Sequence, residues 1–505
     1  MQLRFQEFDE FLAFNKPFGV RTHKVADGQL GFIENLEENL QRELWVVHRL
    51  DKETSGVILF AKSKQAAADL SALFEAHQIK KTYLFLTDRP HSDTHFKIES
   101  YIEKQSEFFV NVDGKPANSE TTLEFVQAVG PYFLWRALPK TGKPHQIRLH
   151  AQKAGLSILG DDQHGGSWHH RLALHALKIE FTLHQQHYVI ENAVPSMISL
   201  LEDGFYSRQN LFQIAAGESY RLLHTESDEA RADVFGDRLW IYDYSPKGLT
   251  PEAHQQVKYF AAEQKLTPIV RHMLNRGEGV GGLEQSTLEA QSTASWIASE
   301  EGIQYLFKTD SGFSPGLFLD QRQNRLWFRS QAEGKQVLNL FSYTSGFSVN
   351  AALGKAQTVT TVDVSKKFLE WSRENFKLNG LEPEKYEFFA QDTLLFLKGS
   401  VKRDRKWDLI VCDPPSFGRS KDSVWKLEQN LPELAELLWS CLNKKGQILF
   451  TCNLEKRTRD EVIQLFTKKL KGQHYTVSKM PQMSLDYECT DELKNLMKGF
   501  VLKKG

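Results

Sequence analysis

From about residue 301 onward, short apolar runs alternate with stretches long enough for amphipathic helices, and few folds can absorb that rhythm. The runs are QVLNLFS (336–342), TVTTVDVS (358–365), YEFFAQD (386–392), WDLIVCDPP (407–415) and GQILFTCN (446–453). Continuous apolar runs predict strands covered on both faces, and the intervening helices must then serve as crossovers. The pattern specifies an open, doubly wound parallel α/β sheet. At 505 residues the chain is also too long for a single core and calls for about three domains.

Residues 1–205 read differently. Strand-like runs EFLAFNKP (10–17), GVILFAKS (56–63), KKTYLFLT (80–87) and YFLWRALP (132–139) are separated by Gly, Pro and Asp turns. KQAAADLSALFEAH (64–77) has helical apolar spacing. This half predicts a mixed β-sheet with short helices. Residues 206–312 combine a strand in DRLWIYDYSP (237–246), a helix in PEAHQQVKYFAAEQ (251–264) and the Gly-rich NRGEGVGGLEQ (275–285), read as a mobile loop. The expected chain is multidomain α/β and α+β: 1–205, a small central α+β domain over 206–312, and a Rossmann-like sheet over 313–505.

Four cysteines, Cys412, Cys441, Cys452 and Cys489, lack paired or zinc-like spacing, which predicts a reducing cytoplasm and no metal. No apolar run approaches the ~20 residues of a membrane span, and the acidic N-terminus does not read as a secretory signal. With 63 Lys+Arg against 64 Asp+Glu, the net charge of -1 neither indicates nor excludes a nucleic-acid partner. The basic patches KRDRK (402–406), EKRTR (455–459) and KKLK (468–471), each taken alone, read as solvated helix ends.

Two constellations carry chemistry. In VVHRLDKETSGVILFAKS (46–63), Asp51 stands among the cations Arg49 and Lys52, just before a Thr-Ser-Gly turn and an apolar strand. A lone Asp in a turn more often caps a helix or faces solvent. Here it keeps company with FNKPFGVRTH (14–23), Tyr83 in KKTYLFL, PKTGKPHQIRLHAQKAGLSILGDDQHGG (139–166) and RLALHA (171–176). This ordered set, over about residues 10–185, resembles the RluA family of pseudouridine synthases; it departs mildly at Lys143-Pro144. The resemblance implies that uridine is isomerised by cleaving its N-glycosidic bond and rejoining the base through carbon 5. Asp51 would act either as nucleophile at the sugar or as base. It further implies that Arg148 faces Asp51 as a fixed cation and that Tyr83 stacks on the target base. Arg49 and Lys52 would contact RNA backbone or fill the space left by the flipped base, with plain solvent exposure the alternative, and His145 would contact RNA, whose uridine must be flipped out of its helix.

The second constellation starts at VLNLFSYTSGFSVNAAL (337–353), a buried strand that enters a Gly-bearing loop and then a helix, the place where doubly wound sheets bind nucleotides. Asp363 ends the next strand, positioned for ribose hydroxyls, and Asp392 follows FFAQ, placed to meet an adenine edge. Asp413 opens DPPSF, where prolines fix the backbone direction and free carbonyls to orient a planar base. With SPGLFLDQR (314–322), LEWSRENFKLNGL (369–381), DPPSFGRSK (413–421) and YRLLHTESDEARADVFGDRLWIY (220–242), this resembles class I S-adenosylmethionine methyltransferases. More narrowly it resembles the RlmI/RlmK group acting on large-subunit rRNA, over about residues 215–505. The resemblance implies an S-adenosyl-L-methionine pocket formed by Arg322, Asn339, Phe341, Tyr343, Gly346, Asp363, Asp392 and Asp413. FSYTSG is a poor match to the G-x-G-x-x-G of an NAD-binding fold.

The methylated atom stays open at this level. Carbon-5 methylation of cytosine needs a nucleophile at carbon 6, and Cys452 sits at about the position where cytosine-methylating relatives carry theirs. Guanine nitrogen 7 needs no such Cys, and the wording of SYT, LEWSRENF and SFGRSK lies nearer to that branch. The expected protein is a two-activity enzyme of large-subunit rRNA, free or in an assembling particle. Alternatives are a tRNA-directed synthase half, since NKP at 15–17 leaves no room for an N-terminal RNA-binding module, and an RNA-binding assembly factor with one decayed half.

Overall fold

The computed structural model describes residues 2–24, 31–224, 226–227, 229–273, 283–284, 295–311, 314–419, 424–454, 457–481, 483–487 and 497–505. Cys489, residues 420–421 of DPPSFGRSK, residues 455–456 of EKRTR and, apart from Leu283–Glu284, the Gly-rich run 275–285 lie outside the described residues. The chain forms two compact units: residues 1–215 with 222–231 and 247–264, and residues 216–221 with 232–246 and 265–505. The segment 206–312 contributes to both.

The first unit is built on an 11-stranded sheet. Its central path runs Phe11–Lys16, Ser55–Ala61, Leu174–Leu183, Lys80–Thr87, Tyr132–Pro139 and Ser119–Val129. Ser55–Ala61 pairs parallel with Leu174–Leu183 and antiparallel with Phe11–Lys16, so the sheet is mixed. Every residue of Ser55–Ala61 is buried, as its apolar run anticipates. Lys64–Glu75 follows as a helix, with Ser63 accepting from the Ala66 amide at its N-cap.

The Gly of the Thr-Ser-Gly turn has a steric reason. Gly56 lies at φ +120 beside the crossing Leu174–Leu183 strand, and a Cβ there would stand 2.1 Å from the Ala176 carbonyl oxygen. Gly56→Ala should therefore pull the two strands apart and cost about 2–3 kcal/mol. Chemical denaturation of the variant, read on this unit, checks it.

The second unit carries a seven-stranded sheet in the order Glu387–Ala390, Thr358–Asp363, Gln336–Leu340, Trp407–Cys412, Leu442–Cys452, Lys498–Lys504, Tyr475–Lys479. The first five are mutually parallel. Lys498–Lys504 runs antiparallel to both its neighbours; an antiparallel strand needs no crossover helix, so the strand–helix rhythm does not announce it. Leu338, Leu340 and Ile410 pack on one face while Val337, Val411 and Leu449 pack on the other, which is why these runs are apolar throughout. Strands Arg238–Asp243 and Thr267–Met273 pair in parallel, and Ser295–Glu300 forms a hairpin with Ile303–Lys308. Trp240, Trp296, Tyr305 and Phe307 form an aromatic core there that reaches Phe376. Among the described residues, no helix is long and apolar enough to cross a membrane.

The strand order reverses between Gln336–Leu340 and Trp407–Cys412, whose ends meet at the Leu340–Cys412 pair. A crevice outside the carboxyl ends of strands at such a reversal is where open α/β sheets take ligands.

Candidate active sites

In the first unit the chain spends much of its polar chemistry on one turn. The fully buried Lys16 donates to the carbonyls of Pro17 (2.9 Å), Val20 (2.7 Å) and Lys52 (3.1 Å), tying the first motif to the residue after Asp51. Thr22 Oγ1 donates to the Leu50 carbonyl at 2.9 Å, and the Thr54 amide donates to the Asp51 carbonyl at 3.1 Å. His48 stacks on Phe74 with ring centroids 4.6 Å apart, and its Nε2 accepts from the Leu59 amide at 3.0 Å. Burial pushes the His48 pKa down to about 3, so the ring is a neutral staple between turn and strand. With Leu50 anchored in the core, Arg49 and Lys52 are left exposed and Asp51 half-buried.

Three groups feel the Asp51 charge. Tyr83, on Lys80–Thr87, has its hydroxyl pushed up by burial and then by Asp51. His145 is pushed down by burial, while Asp51 pulls the other way. Arg148, on the helix Gln146–Lys153, is held more basic by Asp161 and Asp51 against the cost of burial. The structure thus sets Tyr83, His145 and Arg148 within reach of the Asp51 charge. It differs from the sequence expectation in one particular: the Arg148 fork closes on Asp161, with Nε to Oδ2 at 2.8 Å and NH2 to Oδ1 at 2.5 Å. Asp161 is completely buried. Sequence reasoning missed it, although it stands in the quoted LGDDQHGG; only the fold shows which of the two adjacent acids turns inward. His145 Nδ1 meets His164 Nε2 at 3.1 Å, adding a second ring that the motifs did not single out.

In the second unit, the loop after Gln336–Leu340 takes left-handed backbone at Phe341 (φ 55), Tyr343 (φ 49) and Ser345 (φ 69). Non-Gly residues avoid this region, and three in one loop store strain of the kind found at ligand sites. Asp363 pins the loop: its Oδ2 accepts from the Tyr343 amide and its Oδ1 from the Ser365 amide, both at 2.9 Å. Burial pushes the Asp363 carboxyl up. Asp392 caps the helix Thr393–Lys402, with Oδ1 accepting from the Leu395 amide at 3.0 Å. Val364 and Leu395, directly after these turns, are 61% and 59% exposed. Apolar side chains held open beside strand-end carboxylates fit the planar base and ribose of S-adenosylmethionine. The segment 314–321 lies over the same loop: Tyr343 Oη donates to the Ser314 carbonyl at 2.8 Å, Thr344 Oγ1 bonds to the Gly316 carbonyl, and Phe318 packs on Tyr343 with centroids 5.5 Å apart.

Asp413 is already engaged, with Oδ1 accepting from Thr451 Oγ1 at 2.7 Å and Oδ2 from Gln321 Nε2 at 3.0 Å. Burial raises its pKa. Three residues expected in the pocket are committed to the scaffold. Arg322 is almost fully buried and donates to Asp486 (3.0 Å) and to the Ser219 carbonyl (2.9 Å). Asn339 donates to Ser348 Oγ at 2.9 Å, inside the core. A Cβ on Gly346 would stand 2.8 Å from Leu317 Cδ1, so this glycine serves close packing. Cys412 is fully buried and Cys452 1% exposed, both within the apolar cluster. Burial, and then the Asp413 charge, push the Cys452 thiol up to about 12, the opposite of what an attacking thiolate requires. Within the basic patches, Arg405 pairs with Glu387 at 2.6 Å, Lys406 with Asp404 at 2.7 Å and Arg457 with Glu428 at 2.8 Å.

Comparison with known proteins matches residues 10–153 to the RNA pseudouridylate synthase family and residues 256–478 to the S-adenosylmethionine-dependent methyltransferase family. The ribosomal RNA large subunit methyltransferase K of Neisseria meningitidis serogroup B is 33% identical over 246 residues, 46% of this chain and 68% of that protein. The ribosomal RNA large subunit methyltransferase K/L of Shewanella frigidimarina is 32% identical over 252 residues, covering 48% of this chain. The chain spans only 35% of the length of that K/L relative. Among solved structures, SMU.776 complexed with SAH matches with a TM-score of 0.54 at 23% identity, over 65% of this chain and 88% of that one, a likeness of fold.

Proposed function

Because the chain belongs to the family of the ribosomal RNA large subunit methyltransferase K and carries an RNA pseudouridylate synthase domain ahead of that part, we propose that it modifies large-subunit rRNA twice. One activity isomerises uridine to pseudouridine at Asp51; the other methylates a base. The reading is supported by one feature in each unit: the Asp51 charge acts on Tyr83, His145 and Arg148, and Asp363 holds the left-handed loop 341–345 at the strand reversal.

At the first site Asp51 either attacks carbon 1′ of the ribose or removes a proton. In both cases the bond from carbon 1′ to nitrogen 1 breaks, the uracil turns, a bond to carbon 5 forms, and the carbon-5 proton leaves to a base. Arg148, held by Asp161, keeps positive charge near the Asp51 carboxylate, and Tyr83 offers a ring face to the flipped base. At the second site, bound S-adenosylmethionine supplies an electrophilic methyl group. The loop 341–345 and Asp363 orient the donor, and Asp413, fixed by Thr451 and Gln321, holds the backbone that presents the target base.

Guanine nitrogen 7 is the favoured acceptor. Its lone pair is nucleophilic without assistance, and the buried, protonated Cys452 is a poor candidate for the attack at carbon 6 that cytosine would need. Cys452→Ala should methylate at a rate within about threefold of the wild type, since removing a small buried thiol costs packing only, with 7-methylguanosine as product. Loss of methylation in that variant would reassign the product to 5-methylcytosine. We also propose the division 1–205, 206–312 and 313–505, with 206–312 as an RNA-binding region.

The test is nucleoside mass spectrometry on unmodified large-subunit rRNA, free or in particles, incubated with and without S-adenosylmethionine. Pseudouridine in both samples, plus one methylated base only with the donor, supports the proposal. Silence on these substrates with pseudouridine on tRNA would redirect the first activity, and silence on all would favour a binding factor.

A further inference from the structure

The loop 161–171 is tied at both ends to residues around Asp51. At its start Asp161 holds Arg148, on which the Asp51 charge acts. At its end Arg171 NH2 donates to Ser55 Oγ at 2.6 Å, one residue past the turn that Thr54 closes on the Asp51 carbonyl. Between these ends the polar groups face inward. The Gly166 amide donates to the Asp161 carbonyl at 2.8 Å, and the Gly160 amide to the Ser167 carbonyl at 2.9 Å. Ser167 Oγ bonds to Asp88, His169 Nε2 donates to the Met197 carbonyl at 2.7 Å, and His170 Nε2 donates to Asp203 Oδ2 at 2.7 Å. Trp168, between these anchored neighbours, faces the other way. It is 91% exposed, more than any other large apolar residue among those described, whereas Trp135, Trp240, Trp371 and Trp407 are fully buried. A backbone held on both sides denies this indole the option of folding back onto the protein, and so keeps a large aromatic plane in the open.

We propose that Trp168 stacks on a nucleobase adjoining the uridine on which Asp51 acts. The proposal rests on the reading of that site as one that isomerises uridine in RNA. A loop bonded at one end to Arg148 and at the other to Ser55 lies beside any strand that delivers a base to Asp51. Flipping the target out of its helix leaves the adjoining base without its stacking neighbour. A fixed indole restores that stack, and because every base has a π-face it does so without reading sequence. A protein partner fits the loop less well. Trp168 is the one large apolar side chain in residues 161–171, and its neighbours Ser167, His169 and His170 are polar. A protein interface is built on a contiguous apolar core, whereas a base needs a single plane.

The experiment follows pseudouridine formation against RNA concentration, on unmodified large-subunit rRNA and on tRNA. It compares the full chain with Trp168→Ala, Trp168→Leu and Trp168→Phe. Loss of one stacking partner should raise the RNA concentration at half-maximal rate roughly 5- to 150-fold in Trp168→Ala. The rate at saturating RNA should stay within about threefold of the wild type, because the indole binds a base that does not react. Leu, apolar but without a π-face, should behave as Ala does, and Phe should restore most of the affinity. Acrylamide quenching of fluorescence reads the exposed indole directly: RNA should shield it in the wild type, and Trp168→Phe should lose that shielded component. An unchanged half-maximal concentration in Trp168→Ala, a fall in the saturating rate alone, or full rescue by Leu would each overturn the assignment. A change in the sedimentation of Trp168→Ala without RNA, at unchanged RNA dependence, would overturn it in favour of a contact between copies of the chain. If the wild type isomerises neither RNA, the reading of the Asp51 site falls, and the shielding of Trp168 by RNA then decides alone whether the stacking surface stands.

Discussion

Replacing Asp51 with alanine is expected to abolish pseudouridine formation, by at least about 10³-fold, while methyl transfer continues at the wild-type rate. The loss should be this large because no neighbour can take over. Tyr83 is held protonated, and Arg148 and His145 have no carboxylate to offer. The fold should survive, since the turn around residue 51 is held by Lys16, Thr22, His48 and the backbone, and the Asp51 side chain is half-buried. Methyl transfer should survive because its residues belong to the other unit. Nucleoside mass spectrometry of one reaction containing the donor reads both products. Loss of the methylated base together with pseudouridine would show that the two activities are coupled, and persistence of pseudouridine would remove Asp51 from the chemistry.

How much of this was legible beforehand depended on whether the information was local. The strands Gln336–Leu340, Thr358–Asp363 and Trp407–Cys412 match their apolar runs because burial on both faces leaves an unbroken signal. Motif order singled out Asp51, Tyr83 and Arg148, and in the structure the Asp51 charge acts on the other two. Asp161 was not, because nothing in DD says which acid faces Arg148; the turn from Ile158 to Gly166 decides that. Arg322 was read as a ligand residue from its motif, and the fold bonds it to Asp486, whereas Asp320 Oδ1, two residues before it, has no hydrogen-bond partner among the described residues. Side chains two residues apart in a helical turn point in different directions, and only the fold tells which one meets another carboxylate. The pairing of Cys452 with the apolar cluster was likewise invisible, since a strand-end Cys reads the same whether its thiol is buried or open.

Asp161→Ala is the second change expected to have a large effect, and it separates support from chemistry at the first site. Asp161 is fully buried, Arg148 is 6% exposed, and the carboxylate also accepts from the His164 amide at 3.1 Å. Removing it strands a guanidinium in the interior, which costs about 3–5 kcal/mol for a buried pair broken on one side. Hydrogen exchange should report the loss as earlier opening of the helix Gln146–Lys153, whose residues 146–151 are buried. The released guanidinium has two other carboxylates whose charges already act on it, Asp51 and then Asp162. A direct Arg148–Asp51 bond would lower the nucleophilicity of the acid, so isomerisation should fall even in molecules that remain folded. Asp161→Asn weights that second effect, because an amide fills the same space and keeps one acceptor, although it gives up the charge and turns an N–H toward a donor. Its exchange pattern should stay nearer to that of the wild type, with pseudouridine formation still reduced. Full activity in Asp161→Asn would mean that the charge on Asp161 plays no part in keeping Arg148 and Asp51 apart.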